Sequence, residues 1–528
     1  MVRQPLPPSA TSARAGSEPG LRETDPATTA ASPDDPPDAV LAVEEAEASR
    51  DGEIRSGKLA GRSMPSAIWL LALPVLLQQL MTAAVGLVDK MVAGFLPEGT
   101  VVPALDGIGI GSYVGWFIGI AMAGLGVGGQ AIIARAMGAG NRTEAEGAAG
   151  TALLLSVAWG ALVGVALWWV VVPLAQVAGL EGRSLDFCVQ YVRVLAVAMP
   201  FAGVMTVGSM CLHGAGDTTA PSTIAIIVNV INVIATWVLS GVEGTLLGFE
   251  IPKLLAVDAN EWGVLGIAAG TALSYMAGAA LTLRAIFRGV PGFKPDRAHL
   301  AVDRHMGWRI ARIGVPNFAE GIAMWAVNLF VLMFIGMVAV ARGSSAQETG
   351  GLVGAHMIAV QWEAFSFLPG FAMGIAAGAL AGQYAGAGNI RKARQAIWAC
   401  TWVGVTIMGL MGIVFMVAGE PLTRLISREP VHLAETPRLL FICGIVQVFF
   451  ALSMVIRNGL RGVGDTNACL VITVISCYGV RLPAAWFLGV HLDLGLAGIW
   501  MALCGELVVR GLLFLWRFLS PGWERLKV

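Results

Sequence analysis

The chain has 528 residues, of which 56% are hydrophobic and only 13% are charged. A soluble globular domain carries about 25% charged residues, so this composition excludes an ordinary water-soluble protein. The formal net charge of −1 gives no reason to expect a nucleic-acid partner.

Residues 1–63 differ from the rest of the chain and are predicted to form a disordered cytoplasmic tail. They include the stretch Asp34–Pro37 and the acidic run Glu44–Glu47, and they are almost free of aromatic side chains. Such a segment buries too little apolar surface to offset the entropy that it would lose on ordering. No apolar region follows a basic start, so it is not interpreted as a signal peptide. The membrane domain is predicted to begin near Met64.

After the tail, apolar runs long enough for a membrane-spanning helix, roughly 20 residues, recur about twelve times. The first six predicted spans form an N-terminal lobe at 64–288, and they are 66–96, 104–135, 145–172, 187–212, 219–241 and 262–287. A basic linker at 289–307 leads to a C-terminal lobe at 308–519, with spans at 308–340, 351–384, 393–417, 436–460, 467–489 and 495–518. A short cytoplasmic C-terminus is expected at 520–528. The predicted fold class is an all-α integral membrane protein.

Basic residues predict the orientation of these spans. If the N-terminus lies inside, the inner loops hold most of them: Arg135, Arg142, the segment 284–312, Arg391, Lys392, Arg394, Arg457 and Arg461. Loops rich in Lys and Arg face the cytoplasm. We therefore expect a multi-pass protein of the cell (plasma or inner) membrane with both termini cytoplasmic.

Two short motifs occur twice, which predicts an internal duplication. Gly138-Ala-Gly-Asn141 recurs 248 residues later at 386–389, and His213-Gly-Ala-Gly-Asp-Thr218 recurs at the same offset as Arg-Gly-Val-Gly-Asp-Thr at 461–466. Six spans separate the copies, so both halves enter the membrane in the same direction. Transporters built from such parallel repeats bind substrate between the halves and alternate by rocking one half against the other.

With these motifs the chain resembles the multidrug and toxic compound extrusion (MATE) family, and its DinF-like bacterial branch in particular. The resemblance rests on Gly129-Gln130 and Gly382-Gln383, on the repeated turns, and on helix openings at Leu73-Pro74 and Val315-Pro316. It covers residues 65–520. It implies two six-helix lobes that exchange drug-like compounds for inward H⁺ or Na⁺.

Asp89 is the first candidate for the cation-coupling site. It follows Pro74 by fifteen residues within an apolar run, and an ionisable residue at membrane depth is costly and therefore a functional candidate. Its position resembles the first-helix acid that many bacterial members of the family use for cation coupling. An enclosed carboxylate can exchange a proton or ligate Na⁺. The alternative is a local pair with Lys90 or with the helix end.

The fifth span adds Asn229 and Asn232, which lie one turn apart on one face. Family members often carry an acid four residues after the second Asn, where this chain has Thr236, which can hydrogen-bond or coordinate Na⁺ but cannot carry a proton. The alternative is hydrogen bonding between helices. Thr271 on the sixth span resembles a polar position of the family.

Two acids of the second half are secondary candidates. Glu320 lies four residues after Pro316, and Glu363 is flanked by Trp362 and resembles an acid of the DinF-like branch. Arg481 is either a counter-ion or a snorkelling side chain. Glu506 and Arg510 are expected to pair along the last helix.

These features predict a cation-coupled antiporter that exports drug-like or toxic organic compounds by alternating access. The alternative function is a lipid-linked saccharide flippase of the related exporter superfamily, which would be expected to carry more basic cavity residues. An enzyme is not expected, since the sequence has no HExxH or GxSxG motif. The expected partners are small-molecule substrates and the lipid bilayer, with the protein acting as a monomer. No cofactor or metal is expected beyond a coupling H⁺ or Na⁺.

Overall fold

The computed structural model describes residues 53–526, apart from a few short gaps at 55–56, 98, 178–179, 247–248, 252, 254–256, 302, 342 and 344–350. Residues 1–52, which make up most of the predicted tail, lie outside the described residues. Residues 527–528 do so as well.

Twelve helices in the described part of the chain are long and apolar enough to cross a membrane. The first six are α1 (Met64–Ala93), α2 (Val101–Ala139), α3 (Arg142–Val177), α4 (Gly182–Gly214), α5 (Thr219–Ser240) and α6 (Ala259–Arg288). The second six are α7 (Arg304–Ala341), α8 (Leu352–Gly386), α9 (Ile390–Ile426), α10 (Pro430–Gly462), α11 (Thr466–His491) and α12 (Gly495–Leu519). Each predicted span coincides with one of these helices, so the predicted class of membrane-spanning helical protein is confirmed.

Two short features lie outside this helical plan. A hairpin of strands β1 (Gly244–Leu246) and β2 (Phe249–Ile251) connects α5 to α6. Helix α11 contains two π-helical stretches, Ile475–Arg481 and Trp486–His491. Such wider turns occur frequently at functional sites.

Glycines allow the helices of each lobe to pack closely. On α9 and α10, Gly412 and Gly444 face each other, and a Cβ atom on either glycine would meet the carbonyl oxygen of the other at 2.5 Å. Gly270 on α6 lies against the backbone of Thr236 on α5 in the same way. Because no hydrophobic effect drives helices together in a bilayer, close packing at small residues stabilises these contacts instead.

The repeated motifs form the same turns in both halves. Gly140 and Gly388 have positive φ angles of 74° and 81°, which a glycine adopts without strain. Asn141 and Asn389 then each accept a hydrogen bond from the backbone N–H three residues later, at 3.2 and 2.9 Å. This shared geometry supports the duplication that the sequence predicts.

Some of the contacts between the two lobes lie at the end where these turns are, which we call the motif end (turns 138–141, 214–218, 386–389 and 462–466). Gly138 packs on the backbone of Gln383, and Gly386 packs on that of Arg135. The Gln383 side chain donates a hydrogen bond from Nε2 to the carbonyl oxygen of Gly214 at 2.9 Å. Close glycine contacts therefore join α2 of one lobe to α8 of the other.

The last residues of the predicted tail pack against the motif end, although the sequence places the start of the folded domain near Met64. Leu59 is buried and contacts Gly216, and Ile54 is buried as well. Lys58 pairs with Asp217 of the first Gly-Asp-Thr turn at 2.9 Å. The packed part of the chain therefore starts upstream of α1, because these few apolar residues bury themselves beside the turns.

Candidate functional site

Asp89 lies in the interior of the first lobe, where three helices meet at its carboxylate. Its side chain, on α1, is 1% exposed. Tyr191 on α4 donates a hydrogen bond from its hydroxyl to Oδ2 at 2.7 Å, and Thr271 on α6 donates one to Oδ1 at 2.9 Å. Hydrogen bonds to a charged group are worth about 1.5–3 kcal/mol each. Asp89 is therefore enclosed by protein, and the local pair with Lys90 is not its main environment.

Asn232 and Thr236 on α5 extend the site. The side-chain amide of Asn232 donates to the hydroxyl of Thr271 at 2.9 Å and to that of Thr236 at 3.4 Å. Its carbonyl oxygen Oδ1 is buried and has no hydrogen-bond partner among the described residues. Gly270 makes this arrangement possible, because any side chain there would separate α6 from Thr236.

The oxygen atoms of this site suit either a proton or a small hard cation. Within the described residues, no three His, Cys, Asp or Glu side chains lie together as a metal site would require. The Asp89 carboxylate is therefore the one charged ligand, with hydroxyl and amide oxygens around it, which is the ligand chemistry of a weakly held Na⁺ rather than of Zn²⁺. The buried, unpaired Oδ1 of Asn232 would gain a partner if a cation bound beside Asp89.

Asn229, the remaining candidate of α5, takes a different role. Its amide donates to the carbonyl oxygens of Met81 on α1 and Ala225 at 2.8 and 2.9 Å. This is the helix-to-helix hydrogen bonding that the sequence left open as the alternative.

Sequence reasoning did not find Tyr191, and it placed Thr271 only among the secondary positions. Tyr191 is 102 residues from Asp89 along the chain, and Thr271 is 182 residues from it. Tyr275 on α6 is also close enough to interact electrostatically with Asp89. The one available signal was the rarity of tyrosine, which occurs five times in the chain.

A second buried cluster lies in the C-terminal lobe around Glu320 on α7. Its carboxylate pairs with Arg461 at 2.7 Å and with Arg457 at 3.3 Å, and Thr473 donates a hydrogen bond to it at 2.8 Å. Glu320 is fully buried. Glu320 is thus a neutralised carboxylate that holds α7 to α10 and α11.

Glu506 on α12 forms a matching pair of contacts. Arg481 on α11 pairs with it at 2.6 Å and Arg510 at 3.1 Å, so the expected pair of Glu506 with Arg510 is confirmed and Arg481 is a counter-ion. Glu363 on α8 lies within electrostatic reach of Arg481 and Arg510. The fold therefore brings Glu363 close to the two arginines that pair with Glu506, although these residues are more than 100 positions away along the sequence.

Arg457 and Arg461 were counted as loop residues in predicting the orientation, and the structure corrects this. Both lie within α10, with side chains 11% and 15% exposed and paired with Glu320. Their positive charges lie inside the lobe, so the prediction of the orientation depends on the other basic residues alone.

Comparisons with known proteins agree with this architecture. The MatE family model matches the chain twice, at residues 74–238 and 316–487. The "Probable multidrug resistance protein NorM" of Thermotoga maritima is 27% identical over 464 residues, which cover 87% of this chain and 93% of that protein. The "Multidrug resistance protein PmpM" of Pseudomonas aeruginosa is 24% identical over 455 residues, which cover 82% of this chain and 86% of that protein.

A solved structure described as the outward-facing conformation of a multidrug resistance MATE family transporter has the same fold. It superposes with a TM-score of 0.75 at 20% identity, and the match covers 88% of this chain and 98% of the other. The two matched ranges of the family model fall one in each lobe. The placement in a DinF-like branch stays a prediction.

Proposed function

We propose, since this chain belongs to the MatE family of membrane transporters, that it exports drug-like organic compounds in exchange for an inward H⁺ or Na⁺. The protein is a transporter and not an enzyme. The names of its relatives support multidrug efflux as the type of transport. The cell membrane, with both termini in the cytoplasm, is the proposed location.

The observation that carries the coupling proposal is the enclosure of Asp89 by Tyr191, Thr271 and Asn232. A carboxylate held by neutral hydroxyl groups keeps its charge available for a cation, whereas Glu320 and Glu506 already have arginine partners. Asp89 is therefore the better candidate for a group that binds and releases a cation in each cycle.

The proposed cycle is alternating access between the lobes. Close contacts join the lobes through Gly138, Gln383 and Gly386 at the motif end, and in the proposed cycle the substrate cavity opens at the opposite end. A cation drives the cycle only if its affinity differs between the two states. Binding at Asp89 is proposed to favour the state that releases the compound outside and resets the transporter.

The flippase alternative has one observation in its favour, the four arginines of the second lobe that pair with the buried carboxylates of Glu320 and Glu506. Twelve spans and relatives named for multidrug resistance favour drug export. The two functions differ in whether the transported molecule is a lipid.

The test uses purified protein in proteoliposomes loaded with a fluorescent cationic dye, rhodamine 123. An imposed H⁺ gradient and an imposed Na⁺ gradient are applied separately. Dye movement driven by one of the two gradients is the expected result. Dye movement that is the same with and without both gradients would contradict cation coupling.

A further inference from the structure

We propose that the second lobe holds a binding site for an anionic group, formed where the guanidinium groups of Arg457 and Arg510 converge on Met324. The occupant is the carboxylate of a transported organic compound. This inference rests on the export function proposed above and adds the charge of the substrate to it.

The arginine cluster of the second lobe carries an excess of positive charge. Arg457 and Arg461 share the carboxylate of Glu320, and Arg481 and Arg510 share that of Glu506. Glu363 adds a third carboxylate near Arg481 and Arg510. Among the described residues of this cluster, four arginines therefore face three carboxylates. An uncompensated charge inside a protein is unfavourable, so the cluster favours an additional anion.

Hydrogen-bond donors without a strong acceptor lie together beside Met324. Arg457 is 9% exposed, and its Nε–H has no acceptor among the described residues. The Nη1 atoms of Arg457 and Arg510 lie 3.5 and 3.9 Å from the sulfur of Met324. A thioether is a weak acceptor on a flexible side chain. An anionic oxygen could therefore displace it and satisfy both guanidinium groups.

Met324 lies close to a contact between the two lobes. Gly321 on α7 packs against Ile120 of α2 in the other lobe. One turn further along α7, Met324 is only partly buried, and so are its neighbours on both sides. The Met324 sulfur, with Arg457 beside it, thus lies one helical turn from a contact between α7 and α2. In the proposed site, an organic molecule held between the lobes reaches both residues there.

The first lobe shows whether arginines are needed at these positions for structure alone. At the positions of Arg457 and Arg461, 248 residues earlier, the first lobe has Ser209 and His213. His213 hydrogen-bonds to Gln78 on α1 at 3.1 Å. Gln78 and Glu320 each lie four residues after the helix proline. A neutral pair therefore joins the first and fourth helices of that lobe, so this junction does not require arginine.

Two substitutions test the site without leaving a carboxylate unpaired. Arg457→Gln leaves Glu320 with Arg461 at 2.7 Å, and Arg510→Gln leaves Glu506 with Arg481 at 2.6 Å. Both variants are therefore expected to fold. Arg457→Lys keeps the positive charge, and Arg424→Gln is the control, since Arg424 is exposed and pairs with exposed Glu420.

The probes are rhodamine 110, which has a free carboxylate, and rhodamine 123, its methyl ester. Binding is measured by fluorescence anisotropy with purified protein in phosphatidylcholine nanodiscs. One charged contact of about 1.5 kcal/mol corresponds to a roughly tenfold preference for rhodamine 110. Arg457→Gln and Arg510→Gln should each remove this preference and leave rhodamine 123 affinity unchanged. Arg457→Lys should restore part of it, and Arg424→Gln should retain all of it.

Equal binding of the two dyes by the wild type, or no binding of rhodamine 110, would overturn the inference. A preference that survives both substitutions would overturn the assignment to Arg457 and Arg510. A lipid headgroup as the true occupant is tested with nanodiscs that contain phosphatidylglycerol, and displacement of rhodamine 110 by that lipid would also count against the proposal. Transport of rhodamine 123 without any dye preference would reject this inference while leaving the export function intact.

Discussion

Asp89 combines near-complete burial with two hydroxyl donors, and this balance determines what the side chain can do. Burial penalises the charged carboxylate, whereas Tyr191 and Thr271 stabilise it through hydrogen bonds. A carboxylate whose charged and neutral forms are close in free energy can gain or lose a proton when its surroundings change. The strongly paired Glu320 lacks this property, because two arginines hold it in one form.

Replacing Tyr191 with Phe should separate proton from sodium coupling. The substitution removes one hydrogen bond to the deprotonated carboxylate, so a proton should bind more readily. Half-maximal H⁺-driven efflux should then move to a pH about one unit higher. In the wild type a sodium ion binds the ionised carboxylate without breaking this hydrogen bond. Its loss therefore affects the free and the Na⁺-bound site alike, and the Na⁺ dependence should change little.

The measurement is dye efflux from proteoliposomes over a range of pH and of Na⁺ concentration. Tyr478→Phe is the matched control. Tyr478 lies in the second lobe, away from Asp89, and its hydroxyl donates a hydrogen bond to the carbonyl oxygen of Ala323 in that same lobe. An unchanged dependence on both ions in Tyr191→Phe would mean that this hydroxyl has no part in coupling.

The sequence could identify Asp89 as a candidate because a carboxylate within an apolar run is energetically unfavourable, and this is visible from the neighbouring residues alone. It could not predict Tyr191 or the pairs of Arg457 and Arg461 with Glu320, because each contact joins helices more than 100 residues apart. Which faces of distant helices meet depends on packing across the lobe, and a single sequence does not contain that information.

At the scale of helices, glycine positions determine how closely neighbouring elements approach. Helix number and approximate bounds followed from apolar length alone. The π-helical stretches of α11 did not follow from apolar length. The first of them ends at Arg481, which pairs with Glu506 of α12. The buried segment before α1 was missed because its apolar residues, such as Ile54 and Leu59, are few.

Gly138→Ala should weaken the contact between the lobes. The added methyl group would overlap the carbonyl oxygen of Gln383 on α8, so α2 and α8 must move apart. The control is Gly147→Ala on α3, where the space around the new Cβ is open and alanine favours the helix by about 1 kcal/mol. The thermal midpoint of unfolding should fall for Gly138→Ala only. Equal midpoints for the two variants would contradict the close contact.

Two deletions should define where the folded chain begins. Removal of residues 1–52 should leave stability unchanged, because a polar, proline-containing segment almost free of aromatic residues buries little apolar surface. Removal of residues 1–60 also removes Leu59, whose burial is worth about 1.5–3 kcal/mol, and the pair of Lys58 with Asp217. The protein without residues 1–60 should therefore unfold at a lower temperature than the protein without residues 1–52. Identical stability of the two would show that the segment before α1 contributes nothing.

At the scale of the whole molecule, two lobes with one fold have opposite polarity. The first lobe has an acidic site with neutral partners, and the second has a buried cluster with more arginines than carboxylates. The duplication predicted that the lobes would share a fold. It could not predict this difference, which arises from side chains that the two copies do not share.

The orientation of the molecule can be tested with introduced cysteines, because all seven native cysteines are buried. Asp296→Cys lies in the basic linker and should react with a membrane-impermeant reagent only after the cells are opened. Glu243→Cys, before the hairpin, should react in intact cells. Both sites are exposed. The reverse labelling pattern would overturn the proposed cytoplasmic termini.

The most direct test of the central claim is gradient-driven efflux by Asp89→Asn in proteoliposomes. Asparagine keeps the shape and hydrogen-bonding capacity of the side chain and removes its charge, so the protein should fold and still bind rhodamine 123. The account predicts that gradient-driven efflux is abolished, while Asp106→Asn, at an exposed carboxylate on α2, retains it. Full gradient-driven efflux by Asp89→Asn would contradict the account and direct attention to Glu363 and Glu320.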